Sequence, residues 1–541
     1  MRTRSSLAAV ILTAIGLLAS TSFTNADDSS PVNRKPAKDL RRTLVLSQVG
    51  AKLDSNVETG GGTDQTELIQ SLLDRALEHG SVHLIVDGAV LVRGLKVHSN
   101  TTIECLNRAC GFFLADGANY PLIRNSNPQT AARENKNISF LGGTYNGNAI
   151  RQKHDTPQFG FTSVFALHGV EQLLFRDVTI TNSATFAVWV TNWRRIVFEN
   201  IYINLTQLCH NQDGIHLQGP GQFLSMKNIQ GRSWDDFIAL NADDADAEWN
   251  LDGKFTMIDR LGPYSSFGPI TDVDIDGVHL DDASHAIRIL SRASRVDRVS
   301  IKNVSGTYRC AAFWMTPHWR EGGNLGRIEF KNIDVRAVAP NPFEWYFPPF
   351  VFNLGGRIEN LTIRNLHSYL PIDGRPLVWI QPDAKIDVLR LHGINVYDTK
   401  MVAANEPLVR ACGNVDLLQV RDVMVYRPQA AATGGCLIRT GLERDELEAL
   451  KVRLDRVADY LRTDPKTNRR GWPEAYRYLT ARPKIDRLQV QDVVADKWEN
   501  VVKHKAGTIG RLDLSNVTAE GVKELVKKAP DAQIGSTRSG K

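Results

Sequence analysis

The sequence predicts an all-β chain wound into a right-handed parallel β-helix solenoid, with an N-terminal capping helix and a C-terminal helical excursion. Three observations predict it: a corner phrase that recurs along the chain, apolar alternation of period two on either side of it, and turn-forming residues at its third position.

The phrase is apolar, any residue, Asn/Asp/Gly, apolar. It reads Phe198-Glu199-Asn200-Ile201, Ile301-Lys302-Asn303-Val304 and Val490-Gln491-Asp492-Val493, among others. Its third residues are Asp177, Asn200, Asn228, Gly277, Asn303, Asn332, Asn365, Gly393, Asp422, Asp492 and Asn516. Most steps between them run from 23 to 33 residues, with outliers of 49 and 70. The shorter steps suit one coil of a parallel β-helix, and the outliers leave room for insertions. Asn, Asp and Gly suit a corner because they tolerate left-handed backbone. Leucine-rich repeats would need a Leu-x-x-Leu-x-Leu register, and a propeller four strands per period of about 40 residues; neither is present.

The ends read differently. Thr66 to Leu77 places Leu68, Ile69, Leu72, Leu73, Ala76 and Leu77 on one side of a helix, suited to capping the open first coil. Leu447, Leu450, Leu454, Val457 and Leu461 mark a second helix inside the long step. Residues 438–482 are therefore expected as an excursion on the wall of one solenoid domain spanning 45–525, preceded by a segment 27–44 and followed by a tail 526–541.

Residues 1–26 carry Arg2 and Arg4, an uncharged run from Leu7 to Leu18, and small residues ending in Ala26, the layout of a secretory leader. A mature chain starting near Asp27, secreted or periplasmic and free of the membrane after cleavage, is expected. Without the two leader arginines the formal charge falls from +5 to +3, too small an excess to imply nucleic acid. Cys105 and Cys110 are close enough for a small-loop disulfide in an oxidising compartment. Cys209, Cys310, Cys412 and Cys436 lack zinc spacing. No nucleotide, flavin, haem or metal motif is present, so no cofactor is expected, and a monomer is.

Stacking the coils by their strands lays Gly214-Ile215-His216-Leu217 over Phe237-Ile238-Ala239-Leu240, then Ala286-Ile287-Arg288-Ile289, then Ala312-Phe313-Trp314-Met315. Ile215, Ile238, Ile287 and Phe313 then point inward, and His216, Ala239, Arg288 and Trp314 form an outward row preceded by Trp189. At the turn just upstream Asp213, Asp236 and His285 stack, with Asp235 beside Asp236. Paired strands lie about 4.8 Å apart, so three carboxylates converge that cannot all ionise freely. Glycoside hydrolysis needs that arrangement: a protonated carboxyl for the leaving oxygen and a carboxylate to activate water. Asp213, Asp235 and Asp236 are the catalytic candidates. Trp189 and Trp314 are expected to offer ring faces to sugars, Arg288 to meet an anionic group, and His216 and His285 to contact substrate. The run Asp243, Asp244, Asp246 reads as a solvated loop face, with a calcium site as its alternative.

Over residues 48–335 the chain resembles glycoside hydrolase family 28, the polygalacturonase-like β-helices. The resemblance rests on Gly142-Gly143-Thr144-Tyr145-Asn146-Gly147, Asn182-Ser183-Ala184-Thr185-Phe186, Asn211-Gln212-Asp213-Gly214-Ile215 and Asp235-Asp236-Phe237-Ile238-Ala239-Leu240. It implies Asp235 as general acid, with Asp213 and Asp236 activating water in an inverting reaction on an acidic, pectin-like polysaccharide. The chain departs from the pattern twice. Residues 241–268 hold no histidine where the family has one, leaving His285 as the candidate replacement, and Arg288-Ile289-Leu290 keeps the family's arginine but not its lysine. A polysaccharide lyase on the same fold, or a non-catalytic glycan-binding solenoid, are the alternative functions.

Overall fold

The computed structural model describes residues 43–128, 131–207, 211–243, 264–315, 322–338, 350–369, 376–397, 407–426, 435–442, 444–445, 447–448, 482–496 and 498–540. Within them 31 strands join one sheet whose pairings are all parallel, so the chain climbs as a right-handed parallel β-helix. A two-stranded antiparallel hairpin, Asp155–Thr156 with Gly160–Phe161, projects from it.

The predicted alternation becomes an inner column. Ile275, Ile301, Phe330, Ile363, Leu391, Val420, Val490 and Leu514 follow one another in register on consecutive coils, and all are buried. Each such side chain contributes roughly 1.5–3 kcal/mol on leaving water, and no coil covers its inner face without its neighbours. Val420 pairs directly with Val490, so the 70-residue step is one coil with an excursion.

The corner residues adopt the backbone their chemistry allows. All eleven third-position residues, from Asp177 (φ 57°) to Asn516 (φ 48°), have positive φ. Their amides bond up the stack: Asn228 Nδ2 donates to Asn200 Oδ1 at 2.9 Å, Asn332 to Asn303 at 2.9 Å and Asn365 to Asn332 at 2.9 Å.

The capping helix spans Thr66–His79 and buries Ile69, Leu72, Leu73 and Ala76. Gln70 pairs with the backbone of Lys96 in both directions, at 2.8 and 3.0 Å, supplying partners at an otherwise open strand edge. Leu77 is 70% exposed, so the apolar face is narrower than the sequence pattern suggested.

Three boundaries shift. The sheet begins at Thr43, paired with His83. The expected tail is sheet: Val526–Lys528 and Ala532–Gly540 pair onto the preceding coils, because Ala532 and Ile534 continue the alternation. Ile438 to Thr440 belong to the strand Cys436–Thr440, so the excursion starts after them; most of it, with Leu450, Leu454, Val457 and Leu461, lies outside the described residues, as does the leader. Cys105 and Cys110 form no disulfide. Both thiols are buried, and Cys105 Sγ lies 3.8 Å from the Tyr145 hydroxyl, in an apolar setting that pushes the Cys105 thiol up to about 12.

Candidate active site

The stacking inferred from sequence holds residue for residue. Ile215, Ile238, Ile287 and Phe313 are in register and fully buried. Trp189, His216, Ala239, Arg288 and Trp314 form the neighbouring row, and Asp236 pairs with His285. The backbone N–H of Gly214 donates to the Asp236 carbonyl at 2.9 Å, which sets Asp213 beside Asp236 on the next coil. Gly214 is required there, since a Cβ would stand 2.4 Å from the Phe237 carbonyl oxygen.

The three carboxylates sit in unlike surroundings. Asp213 and Asp236 are each 2% exposed, whereas Asp235 is partly open and accepts the Asn211 backbone N–H at 3.0 Å. Burial, then the charges of Asp236 and Asp235, raise Asp213 well above the usual carboxylate range. Burial and the Asp236 charge raise Asp235 to about 6. Burial also pushes Asp236 upward, but Arg288, His285 and His216 outweigh it and hold Asp236 below its ordinary value. The cluster therefore separates into one ionised carboxylate and two that retain protons to higher pH.

Arg288 Nη1 lies 3.3 Å from Asp236 Oδ2, and its guanidinium sits over the Trp314 ring at 4.5 Å. His285 Nδ1 comes within 2.9 Å of Asp236 Oδ1, off the line of an aligned hydrogen bond. His285 thus stands at the aspartate pair. His216 Nδ1 is 2.6 Å from Asp213 Oδ2, and burial holds its imidazole down to about 3. Phe186, from the Asn182–Phe186 segment, stacks on His216 at 4.1 Å and 13° and fixes its ring; its aromatic type next to an outward histidine was the available signal.

Three expectations change. Trp189 is fully buried beneath Phe161, Phe186 and Phe267, with its indole N–H donated to Gln218 at 3.1 Å. Its ring is wall, not a sugar platform. Trp314 is 3% exposed and packs against Arg288 and His285, so it supports the charged pair. Asp243 is buried and is not a solvated loop face. It accepts the backbone N–H groups of Arg292, Ala293 and Ser294 at 2.5, 2.8 and 2.6 Å, bracing the turn after Arg288. Asp244 and Asp246 lie outside the described residues.

Asp235, Asp236 and His285 each offer one donor atom, all within 4.8 Å of one another, so a cation would find three ligands here. Arg288 already answers much of that charge.

A β-helix bearing stacked carboxylates of divergent acidity, with an arginine fixed on one of them, brings together the proton donor and proton acceptor that acid–base chemistry needs. Residues 129–305, which hold all of these side chains, match Glycosyl hydrolases family 28, in agreement with the divergent resemblance of the motifs. The polygalacturonase of Persea americana is 22% identical over 246 residues, 42% of this chain and 53% of the relative. The chain thus spans about half the length of the curated relative it matches. Among solved structures, the family 28 exopolygalacturonase of Yersinia enterocolitica aligns with TM-score 0.46 and 13% identity, covering 74% of this chain and 78% of that one. The exopolygalacturonase of Thermotoga maritima aligns with TM-score 0.44 and 13% identity over 71% and 91%.

Proposed function

We propose that the chain is an exported glycoside hydrolase of the polygalacturonase type that cleaves a pectin-like, acidic polysaccharide with inversion, without a cofactor. The observation that carries the reading is the division of acidity within one cluster: partly open Asp235 raised to about 6 beside buried Asp236 held low.

Asp235 donates its proton to the glycosidic oxygen as the bond to the anomeric carbon breaks. Asp236 takes a proton from the water whose oxygen forms the new bond to that carbon, which leaves the negative charge on Asp235, while Asp213, still protonated, hydrogen-bonds that water and positions it. Arg288 acts first as the counter-ion that keeps Asp236 ionised at working pH. The leader-like residues 1–26 support export, and among the described residues no helix is long and apolar enough to cross a membrane.

Purified protein incubated with polygalacturonate and partly esterified pectin should release reducing ends without the ultraviolet absorbance of an unsaturated uronate. Absorbance rising in step with cleavage would assign a lyase instead, and absence of cleavage across pectic glycans would leave a binding solenoid.

A further inference from the structure

The outer wall carries a second feature that the hydrolytic reading does not use. On the strands Leu325–Ala337, Arg357–Tyr369, Lys385–Tyr397 and Asn414–Tyr426 the last outward position runs Arg336, Tyr369, Tyr397, Tyr426, in register from coil to coil. The corresponding position one coil earlier is Thr307. A polar row thus turns aromatic over three consecutive coils.

These tyrosines are partly exposed. Tyr369, Tyr397 and Tyr426 are 44%, 38% and 56% exposed, and Met424 and Val494 beside them are 54% and 49%. Five of the eleven exposed large hydrophobic residues among those described fall in this patch. Such concentration marks an interaction site, whereas scattered exposed residues need no explanation. The Tyr369 and Tyr397 ring centroids are 5.7 Å apart at 31°.

We infer that this tyrosine ladder binds an extended glycan chain lying along the solenoid axis, as an anchoring site separate from the carboxylates. The strands repeat at about 4.8 Å and the Tyr369 and Tyr397 rings stand 5.7 Å apart, a spacing of the same order as the advance of one sugar in an extended chain. A tyrosine offers a broad apolar face for a pyranose ring and a hydroxyl for its hydrogen bonds. Exposed Arg336 at the head of the row suits a chain carrying carboxylates, with Asp334 and His367 on the adjoining row. A second copy of the chain fits poorly: the exposed parts of these five side chains amount to roughly 300–500 Å², short of the about 800 Å² per partner in a stable interface. The ladder stands four to six coils beyond Asp235, about 20–30 Å along the axis, so it holds polymer and leaves short oligosaccharides untouched. The choice of glycan rests on the polysaccharide reading above.

The test compares the full chain with a Tyr369→Ala/Tyr397→Ala/Tyr426→Ala variant by affinity electrophoresis in gels containing polygalacturonate or esterified pectin, both on an Asp235→Asn background that prevents digestion. Retention should weaken about tenfold in the triple variant, and a triple Tyr→Phe variant should keep most of it. On the Asp235-containing background, cleavage of a short oligogalacturonide should be unchanged while cleavage of polymer slows. Equal retention of the alanine variant and its parent, at matched melting temperature, overturns the ladder, as does absence of any retention of the parent. A parent that is oligomeric and becomes monomeric on the triple substitution makes the patch a subunit contact and also overturns it. Retention lost on substitution in a protein that cleaves nothing would keep the ladder and remove only the hydrolytic reading.

Discussion

Two stacks of polar side chains run up this solenoid, and they behave in opposite ways. At the corner of the wall, Asn303, Asn332 and Asn365 lie one above another and satisfy each other, each amide N–H meeting the oxygen below. At the turn beside the row of His216 and Arg288, Asp213, Asp236 and adjacent Asp235 are brought together by the same coil repeat, and burial with the Asp236 charge raises both Asp213 and Asp235. An amide is donor and acceptor at once, so like stacked on like is favourable. A carboxylate is acceptor only, so like on like stabilises a retained proton. The repeat supplies proximity for both; the side chain decides whether the result is a strut or an acid.

The sharpest break of that comparison is at the acid. Asp235→Asn or Asp236→Asn, in a folded protein, should lower turnover by at least about a hundredfold, the scale of lost acid–base catalysis. Steady-state kinetics on the same preparation as a melting curve checks it.

Arg288 comes next. Its removal takes away the charge that holds Asp236 low, so Arg288→Ala should cost about one to two orders of magnitude in kcat/KM. It should also move the acidic limb of the pH profile upward, since Asp236 then protonates at higher pH. Arg288→Lys should recover part of the rate, because an ammonium restores charge without the planar fork. A stable alanine variant with full activity and an unmoved limb would remove Arg288 from the site.

The neutral stack should respond in stability alone. Asn332→Ala loses two ladder bonds and puts a side chain poorly suited to φ 56° at that corner. A loss of roughly 1–2 kcal/mol is expected, with kcat of the folded fraction unchanged. Asn332→Gly, which relieves the backbone, should lose less.

Much of this was legible in the sequence because a solenoid turns sequence period into spatial neighbourhood. One marker per coil sufficed to place Asp213, Asp236 and His285 in a stack and Arg288 in the row with His216 and Trp314. What was not legible depends on segments outside the repeat. Trp189 read as a sugar platform because its outward position is set by the strand, whereas its cover comes from Phe161 on a projecting hairpin and from Phe267 after a long insertion. Asp243 read as loop because nothing in its acidic run shows that the turn at 292–294 points three N–H groups at it. The terminal coils were missed because Val526–Lys528 and Ala532–Gly540 lack the corner phrase while keeping the pairing.

Infrared titration of the protonated carboxyl stretch reads directly whether burial and the neighbouring Asp236 charge raise Asp235 to about 6. Wild-type protein should show a carboxyl losing its proton with an apparent pKa near 6, and difference spectra of Asp235→Asn should lack that step. A wild-type protein whose carboxyls all titrate within the ordinary range, about 4, with no step removed by Asp235→Asn, would contradict the account.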